Sequence, residues 1–472
     1  MPYVDRTGEP YMTNFNKINR RKFLKGAAAS SLATAASLPN VSFAAGSANN
    51  YSDNILIFVF LRGGMDGLSL FTPMDGHPDR GHYEALRSNG TMIPSSQLLS
   101  VGQGFGLHPA AGPLQDLYQQ NDLAIIRACG LPSYEVNRSH FEAQRYAELG
   151  TPGNRFTQTG WLTRHLSTAT NYPAAIPLPV VVTESNVTFS LLREPSAVSL
   201  RYPSSFDFDT TNANNFNSDQ EQALADIYSA GTNELDAAGE QAMAAVAIVE
   251  QVDFNAPPDN GAAYPVRADD PTRLTGFGEE LQIMAQLIKQ ETGVRIGQCD
   301  RSGWDTHNNQ RNLVVGEGFY DNVRDISEAF KAFFTDLDVL APGGGTWAER
   351  TTMLVYSEFG RRAHDNADAG TDHGWANTSL VIGGGVNGGQ QYGQWPGLAP
   401  ADLFQGADLR GTVDYRNVWT EILLKRLHNN QIHQIFPGYP ENEYNPLGVV
   451  SGSAIEPDFN NDPGLVYKDG FE

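Results

Sequence analysis

The chain has 472 residues, 40% of them hydrophobic, and a formal net charge of −22. That length and apolar content allow one large core or two to three smaller domains, and the acidic balance excludes a basic nucleic-acid-binding surface. Two cysteines, Cys129 and Cys299, exclude a disulfide framework. They are either one bridge or a pair of buried thiols, and the apolar runs beside them favour thiols.

The N-terminus reads as a targeting segment. Asn19-Arg20-Arg21-Lys22-Phe23-Leu24-Lys25 is a twin-arginine pattern, and a weakly apolar Ala/Ser/Leu run follows from Gly26 to Leu38. Ser42 and Ala44 place small residues where a signal peptidase reads, so residues 1–44 are expected to be removed after Ala44. The alternative is a basic amphipathic helix belonging to the fold. With cleavage, the mature protein is expected in the periplasm or outside the cell, exported by the twin-arginine route. No later stretch reaches the roughly 18 apolar residues a membrane span needs, so no integral membrane segment is expected in the mature chain.

The first strand of the fold is Asn54-ILIFVFL-Arg62, a continuous apolar run ending in Gly63-Gly64-Met65-Asp66-Gly67. Continuous apolarity means that both faces are covered, as in a parallel sheet between helices. Asp66 is then either a group presented at the strand's carboxyl end or part of a simple Asp-Gly turn. Leu107 to Gln119 reads as a helix. A second buried strand, Asp122-LAIIRACG-Leu131, leads to a loop and a helix opening at Ser139-His140-Phe141-Glu142. Ser139 is an N-cap, with Glu142 completing a capping box, or it lies in the field of the helix N-terminus as a nucleophile. His140 ligates or packs.

Pro177 to Val182 gives a short strand. The stretch at about 184–270 is polar, then strongly helical from Ser218 to Phe254, and reads as an insertion. Phe277 to Gln290 is an amphipathic helix. The strand Val294 to Cys299 leads to Gly303-Trp304-Asp305-Thr306-His307, where Asp305 and His307, two apart, can share one ion in an extended loop. Phe319 to Leu340 is helical. Met353 to Tyr356 is a further strand, followed by Ser357-Glu358-Phe359-Gly360 and then Asp372-His373-Gly374. That carboxylate and Asp-His pair form half a metal site, or else a turn in which Glu358 pairs with Arg361 or Arg362. Ser379 opens a strand and a glycine-rich turn that lacks the helix and lysine of a phosphate-binding loop. Asp414 caps a last helix, Val418 to His428.

These elements predict an α/β fold with a mainly parallel central sheet flanked by helices on both faces. The expected layout is a single domain over 45–450, carrying the insertion and followed by a loose polar tail, 451–472. Asp66, Ser139, Asp305 with His307, Glu358, and Asp372 with His373 all follow strands or adjoin their loops. In a parallel sheet those ends share one edge, where ligands bind.

Taken together, FLRGGMDGLS (60–69), GLHPA (106–110), SHFEAQ (139–144), GWL (160–162), GWDTHNNQ (303–310), SEFGR (357–361) and TDHGWA (371–376) resemble the DUF1501 family of exported bacterial proteins. That family's fold is similar to the alkaline phosphatase/sulfatase superfamily, a three-layer sandwich. The resemblance implies metal ligands at Asp66, Asp305, His307, Glu358 and His373, with His140 or Asp372 substituting for the imidazole missing where Glu358-Phe359 stands in place of the superfamily's Asp-His. It places Ser139 at the nucleophile position. Arg138, Arg361 or Arg362 would hold the anionic oxygens. The expected cofactor is a divalent metal (Zn, Mn, Mg or Ca) and the expected partner a small anionic ester, hydrolysed as a phosphate or sulfate ester. The reading of a different class is an exported binding or assembly protein that keeps the fold without turnover.

Overall fold

The computed structural model describes residues 53–459 apart from 171, 173–175, 177, 207–216, 230 and 232. The twin-arginine segment, its cleavage point and most of the polar tail lie outside the described residues.

Twelve strands are described: β1 (Ile55–Leu61), β2 (Phe71–Pro73), β3 (Leu99–Ser100), β4 (Phe105–Leu107), β5 (Leu123–Gly130), β6 (Val180–Val182), β7 (Ala197–Ser199), β8 (Ile296–Arg301), β9 (Thr351–Tyr356), β10 (Asn377–Gly383), β11 (Gln390–Tyr392) and β12 (Val413–Asp414). The helices that matter below are α1 (Arg80–Leu86), α2 (Gly112–Gln119), α3 (His140–Leu149), α4 (Trp161–Thr168), α5 (Asn217–Ser229), α6 (Glu234–Val249), α7 (Gly276–Lys289), α8 (Gly318–Leu337) and α9 (Tyr415–Lys425).

Nine strands form one sheet in the order β11-β5-β10-β9-β1-β8-β6-β7, with β12 also paired to β5. Every pairing in it is parallel except those of β10, which runs antiparallel to β5 and β9. This is the expected mixed α/β architecture with a mostly parallel sheet. The reversed strand has a consequence for the site. The loop that leaves the carboxyl end of β9 re-enters the sheet at the start of β10 on the same edge, so residues 357–376 stay there throughout.

All seven residues of β1 are buried, as its unbroken apolar run requires. Phe58 and Phe60 point to a core that contains Trp161 of α4 and Trp419 of α9. On the other face, a Cβ on Gly297 of β8 would meet Ile57 at 2.7 Å and Met284 of α7 at 2.8 Å, so helices cover both faces of this part of the sheet. Trp419 is enclosed by aromatic rings, with centroids 5.1 Å from Phe58, 4.7 Å from Trp161, 5.4 Å from Tyr356 and 4.5 Å from Tyr415. Cys129 on β5 and Cys299 on β8 are free, buried thiols.

Three expectations shift. The insertion is shorter than 184–270: Tyr202–Gln251 forms a compact unit containing α5 and α6, with its own small core of Ala225, Tyr228, Met243 and Val246. The flanks belong to the larger unit, because β7 pairs with β6 and so extends the main sheet. Second, the helix expected from Leu107 begins only at Gly112, because Leu107 belongs to Phe105–Leu107, which pairs in a small antiparallel sheet, β2-β4-β3. Strands of two or three residues carry too little periodicity to be read in advance. Third, the Ser139–Glu142 capping box does not form. Ser139 makes no side-chain cap bond, while Glu142 accepts from Asn137 and pairs with Arg155.

Among the described residues no helix is long and apolar enough to cross a membrane.

Candidate metal centre

Strands β1, β5, β8 and β9 end on one edge of the sheet and β10 starts there. The turn after β1 needs positive φ at Gly63 (119°) and Gly64 (65°). A Cβ on Gly64 would meet the Phe359 ring at 2.4 Å, so only glycine lets the β1 and β9 loops close on each other. Ser357 Oγ reinforces that closure by donating to the carbonyl of Leu61 at 2.6 Å.

Three imidazoles and a carboxylate converge in the space these loops leave. Asp305 Oδ1 lies 3.4 Å from His140 Nε2, 3.2 Å from His307 Nε2 and 3.4 Å from His373 Nε2. Bonds of about 2.05 Å to a tetrahedral ion place neighbouring ligand atoms about 3.3 Å apart, so this donor spacing fits a metal of the zinc type. His307 Nε2 and His373 Nε2 approach more closely, at 2.8 Å. The ligand atoms offered by His140, Asp305 and His373 all lie within 4.8 Å of one another.

Each ring is held from behind through its other nitrogen. His140 Nδ1 meets Glu358 Oε1 at 2.8 Å, His307 Nδ1 meets Asp372 Oδ1 at 3.1 Å, and His373 Nδ1 meets the carbonyl of Arg138 at 2.7 Å. An acceptor behind Nδ1 selects the tautomer that leaves Nε2 with its lone pair toward the centre. His140 Nε2 is buried and makes no hydrogen bond. Buried polar atoms are normally satisfied, and an ion would satisfy this one. Phe359 packs against two of the rings, with centroids 4.9 Å from His140 and 4.8 Å from His373.

The electrostatics agree with those roles. Burial would raise the Asp305 carboxyl, but the hydrogen bond and charge of Arg361 hold it down to about 2. Burial would likewise raise Glu358, and hydrogen bonds from His140, Gln144 and Gly63 keep it below the usual range. The bond to Glu358 raises His140, whereas burial lowers His373. The outer face of the centre is open: the Asp305 side chain is 52% exposed and that of His307 39%.

The structure sorts the sequence candidates into distinct places. Asp305, His307, His373 and His140 come together. Glu358 and Asp372 stand one step behind as acceptors. Glu358 is fully buried, and its Oε1 accepts from His140, from Gly63 N at 2.9 Å and from Gln144 Nε2 at 2.8 Å. Asp66 is not in the cluster. Both its oxygens are taken, by Arg87 (2.5 and 2.9 Å), Ser69 (2.5 Å) and Gln310 (2.7 Å), which makes it a buried ion pair and corrects its reading as a ligand. Arg361 is buried, donating to Gly64 O at 2.6 Å, Thr371 O at 2.8 Å, Trp304 O at 3.1 Å and the carbonyl of Gly63. Its remaining contact is Asp305 Oδ1 at 2.7 Å, so Arg361 orients that carboxylate, and its side chain is too deeply buried to meet a substrate. The Arg138 guanidinium donates through Nε and Nη2 to Asp408 and Gln405, and its charge is matched by Asp408. Burial of the one and pairing of the other argue against both as anion holders.

Ser139 lies between Arg138, whose carbonyl holds His373, and His140. It is half-buried, and among the described residues its hydroxyl has no hydrogen-bond partner. Arg362 is half-exposed, with a buried Nε that makes no hydrogen bond and an Nη1 4.0 Å from Asp372 Oδ2. Gln144 and Asn366 were missed by the sequence reading. Gln144 sits one helical turn after His140, a spacing that puts both on one face, so this signal was present. Asn366 Nδ2 ties Asp372 Oδ1 (3.0 Å) to the carbonyl of His307 (2.9 Å), and no local pattern announces it. A cleft of about 360 Å³, lined among others by Arg62, Gln144, Glu148, Phe189 and Asp300, opens beside Gln144. A second cavity of about 380 Å³, on the Asp122 and Gly383–Gly385 side, contains no histidine and is remote from this chemistry.

No curated protein matches the chain. The family model described as "Protein of unknown function (DUF1501)" matches residues 53–436, a span that contains every residue of the cluster. The chain belongs to the DUF1501 family.

Proposed function

We propose that this protein is an exported, metal-dependent hydrolase of phosphate or sulfate esters, with an alkaline-phosphatase-like domain. It would hold one divalent ion on His140, His307, His373 and Asp305. The observation that carries this is the convergence of three Nε2 atoms on Asp305 Oδ1, each ring fixed through Nδ1 by Glu358, Asp372 or the Arg138 carbonyl. Imidazole and carboxylate together suit Zn or Mn better than Mg or Ca, which prefer oxygen alone. When bound, such an ion lowers the pKa of a coordinated water or hydroxyl and offsets charge on the transferring group.

The chain's own residues supply the rest. Ser139, next to His140 in the chain and at the start of α3, would serve as the nucleophile. Arg362, with unspent donors beside Asp372, replaces Arg138 and Arg361 as the group that meets an ester oxygen. Overall, water adds its hydroxyl to phosphorus or sulfur and its proton to the leaving alkoxide. The parallel sheet and its carboxyl-edge site support the likeness to alkaline phosphatases, as does the serine at a helix start.

The test is metal content of the mature protein purified without chelator, with turnover of aryl phosphates and aryl sulfates. One tightly bound ion, lost in Asp305→Ala and His307→Ala together with activity while the fold persists, supports the reading. No bound metal, and no thermal shift on adding Zn or Mn, would sink it in favour of an exported binding or assembly protein.

A further inference from the structure

The charges around the centre define what kind of ester it takes, given the metal-dependent reading above. A divalent ion brings two positive charges, and its imidazole ligands are neutral. Asp305 is matched by the buried Arg361 at 2.7 Å. Asp372 is matched by Arg362, at 4.0 Å. Glu358, buried behind His140, has no cation of its own. The loaded site therefore carries one net positive charge. Further cations are spent. Arg138 pairs with Asp408, and Arg87 with Asp66. Beyond Gln144, Arg62 lies between two buried carboxylates, Glu148 and Asp300, so that group adds no positive charge.

We propose that the site selects an ester bearing a single negative charge, a sulfate monoester or a phosphodiester, over a dianionic phosphate monoester. A monoanion brings the loaded site to neutrality. A dianion leaves one charge uncompensated in a partly desolvated setting, on a protein whose overall charge of −22 already repels anions. Arg362 has donors that no hydrogen bond among the described residues uses, and it meets one oxygen of a monoanionic group. Arg138 also keeps an unbonded Nη1, but its charge is matched by Asp408, so it adds no second net charge. Asp372 sets this balance while also holding His307, so it acts as a positioning residue whose charge tunes selectivity.

The experiment is calorimetric binding of methyl sulfate, dimethyl phosphate and methyl phosphate to the metal-loaded protein at pH 8, where methyl phosphate is a dianion. The two monoanions are expected to bind at least tenfold tighter than methyl phosphate, and whichever of the two binds better identifies the source of the anion. Arg362→Gln should weaken monoanion binding about tenfold with metal content unchanged. Asp372→Asn, which keeps an acceptor for His307 and adds one net positive charge, should erase or reverse the preference. Tighter binding of methyl phosphate in the unmodified protein, or no binding of any of the three, would overturn the proposal while the metal centre stands. Absence of a bound metal would instead overturn the hydrolase reading beneath it. Relative turnover of p-nitrophenyl sulfate and bis-p-nitrophenyl phosphate against p-nitrophenyl phosphate should follow the same order.

Discussion

Removing the Arg87 guanidinium separates the two carboxylates that both looked like metal ligands. Asp66 and Arg87 are fully buried and joined by two hydrogen bonds, 2.5 and 2.9 Å, and Arg87 also donates to Ala363 O at 2.7 Å. In Arg87→Met the Asp66 carboxylate keeps only Ser69 and Gln310 as donors. Breaking a buried pair from one side costs about 3–5 kcal/mol, because an uncompensated charge stays in the interior. Removing the charge as well, in Asp66→Asn/Arg87→Met, should recover a good part of that loss. Urea unfolding followed by circular dichroism at pH 7 reads the stability, and elemental analysis of the folded variants reads the metal. The expected outcome is a double variant more stable than Arg87→Met alone, with metal content equal to that of the unmodified protein. Additive losses would refute the ion-pair account. A folded Asp66→Asn that has lost its metal would restore Asp66 as a ligand.

Glu358→Gln keeps the volume but loses the charged acceptor behind His140. It should weaken metal affinity 10- to 100-fold, or about 1.4–2.8 kcal/mol, in a chelator-competition titration, and unchanged affinity would remove Glu358 from the centre. His108 is buried and neutral, its Nε2 donating to Asn312 O at 2.6 Å and its Nδ1 accepting from Ala110 N at 3.1 Å. Burial lowers its pKa to about 4, against about 6.5 unfolded. The unfolded chain therefore takes up the proton first, and about 3 kcal/mol of stability present above pH 6.5 is lost as pH falls toward 4. Urea midpoints of His108→Gln across that window should fall less steeply, and parallel curves would contradict this. Trp419→Ala, which empties the centre of the aromatic core, should cost about 3–5 kcal/mol in the same assay, and a loss below 1 kcal/mol would mean that the core collapses around the gap.

Much of the sheet could be read from the chain because its strands are unusual. An unbroken apolar run such as Ile55–Leu61 has few alternatives, and its glycine-rich exit marks the edge where chemistry collects. The Asp305–His307 pair and His373 were visible for the same reason, since polar residues directly after buried strands need a purpose. The short strands β3 and β4, the antiparallel sense of β10 and the exact extent of the 202–251 unit were not legible, because each depends on pairing with distant segments.

Neighbouring residues alone carry the fold class, the edge of the sheet on which the polar clusters gather, and the residue types available for an ion, because local apolarity, turn glycines and strand-end placement are properties of adjacent positions. Which carboxylate does what depends on contacts between distant segments. Asp66 and Glu358 both follow a buried strand, β1 or β9, yet Arg87, 21 residues away, neutralises the first, while His140, 218 residues away, draws the second behind a ligand. Arg361 likewise reads as a partner of Glu358 or a holder of anionic oxygens until the loops after β1, β8 and β9 close over it and bond its guanidinium. A side chain's role at this edge is set by the partner that saturates its hydrogen bonds, and that partner comes from another part of the fold.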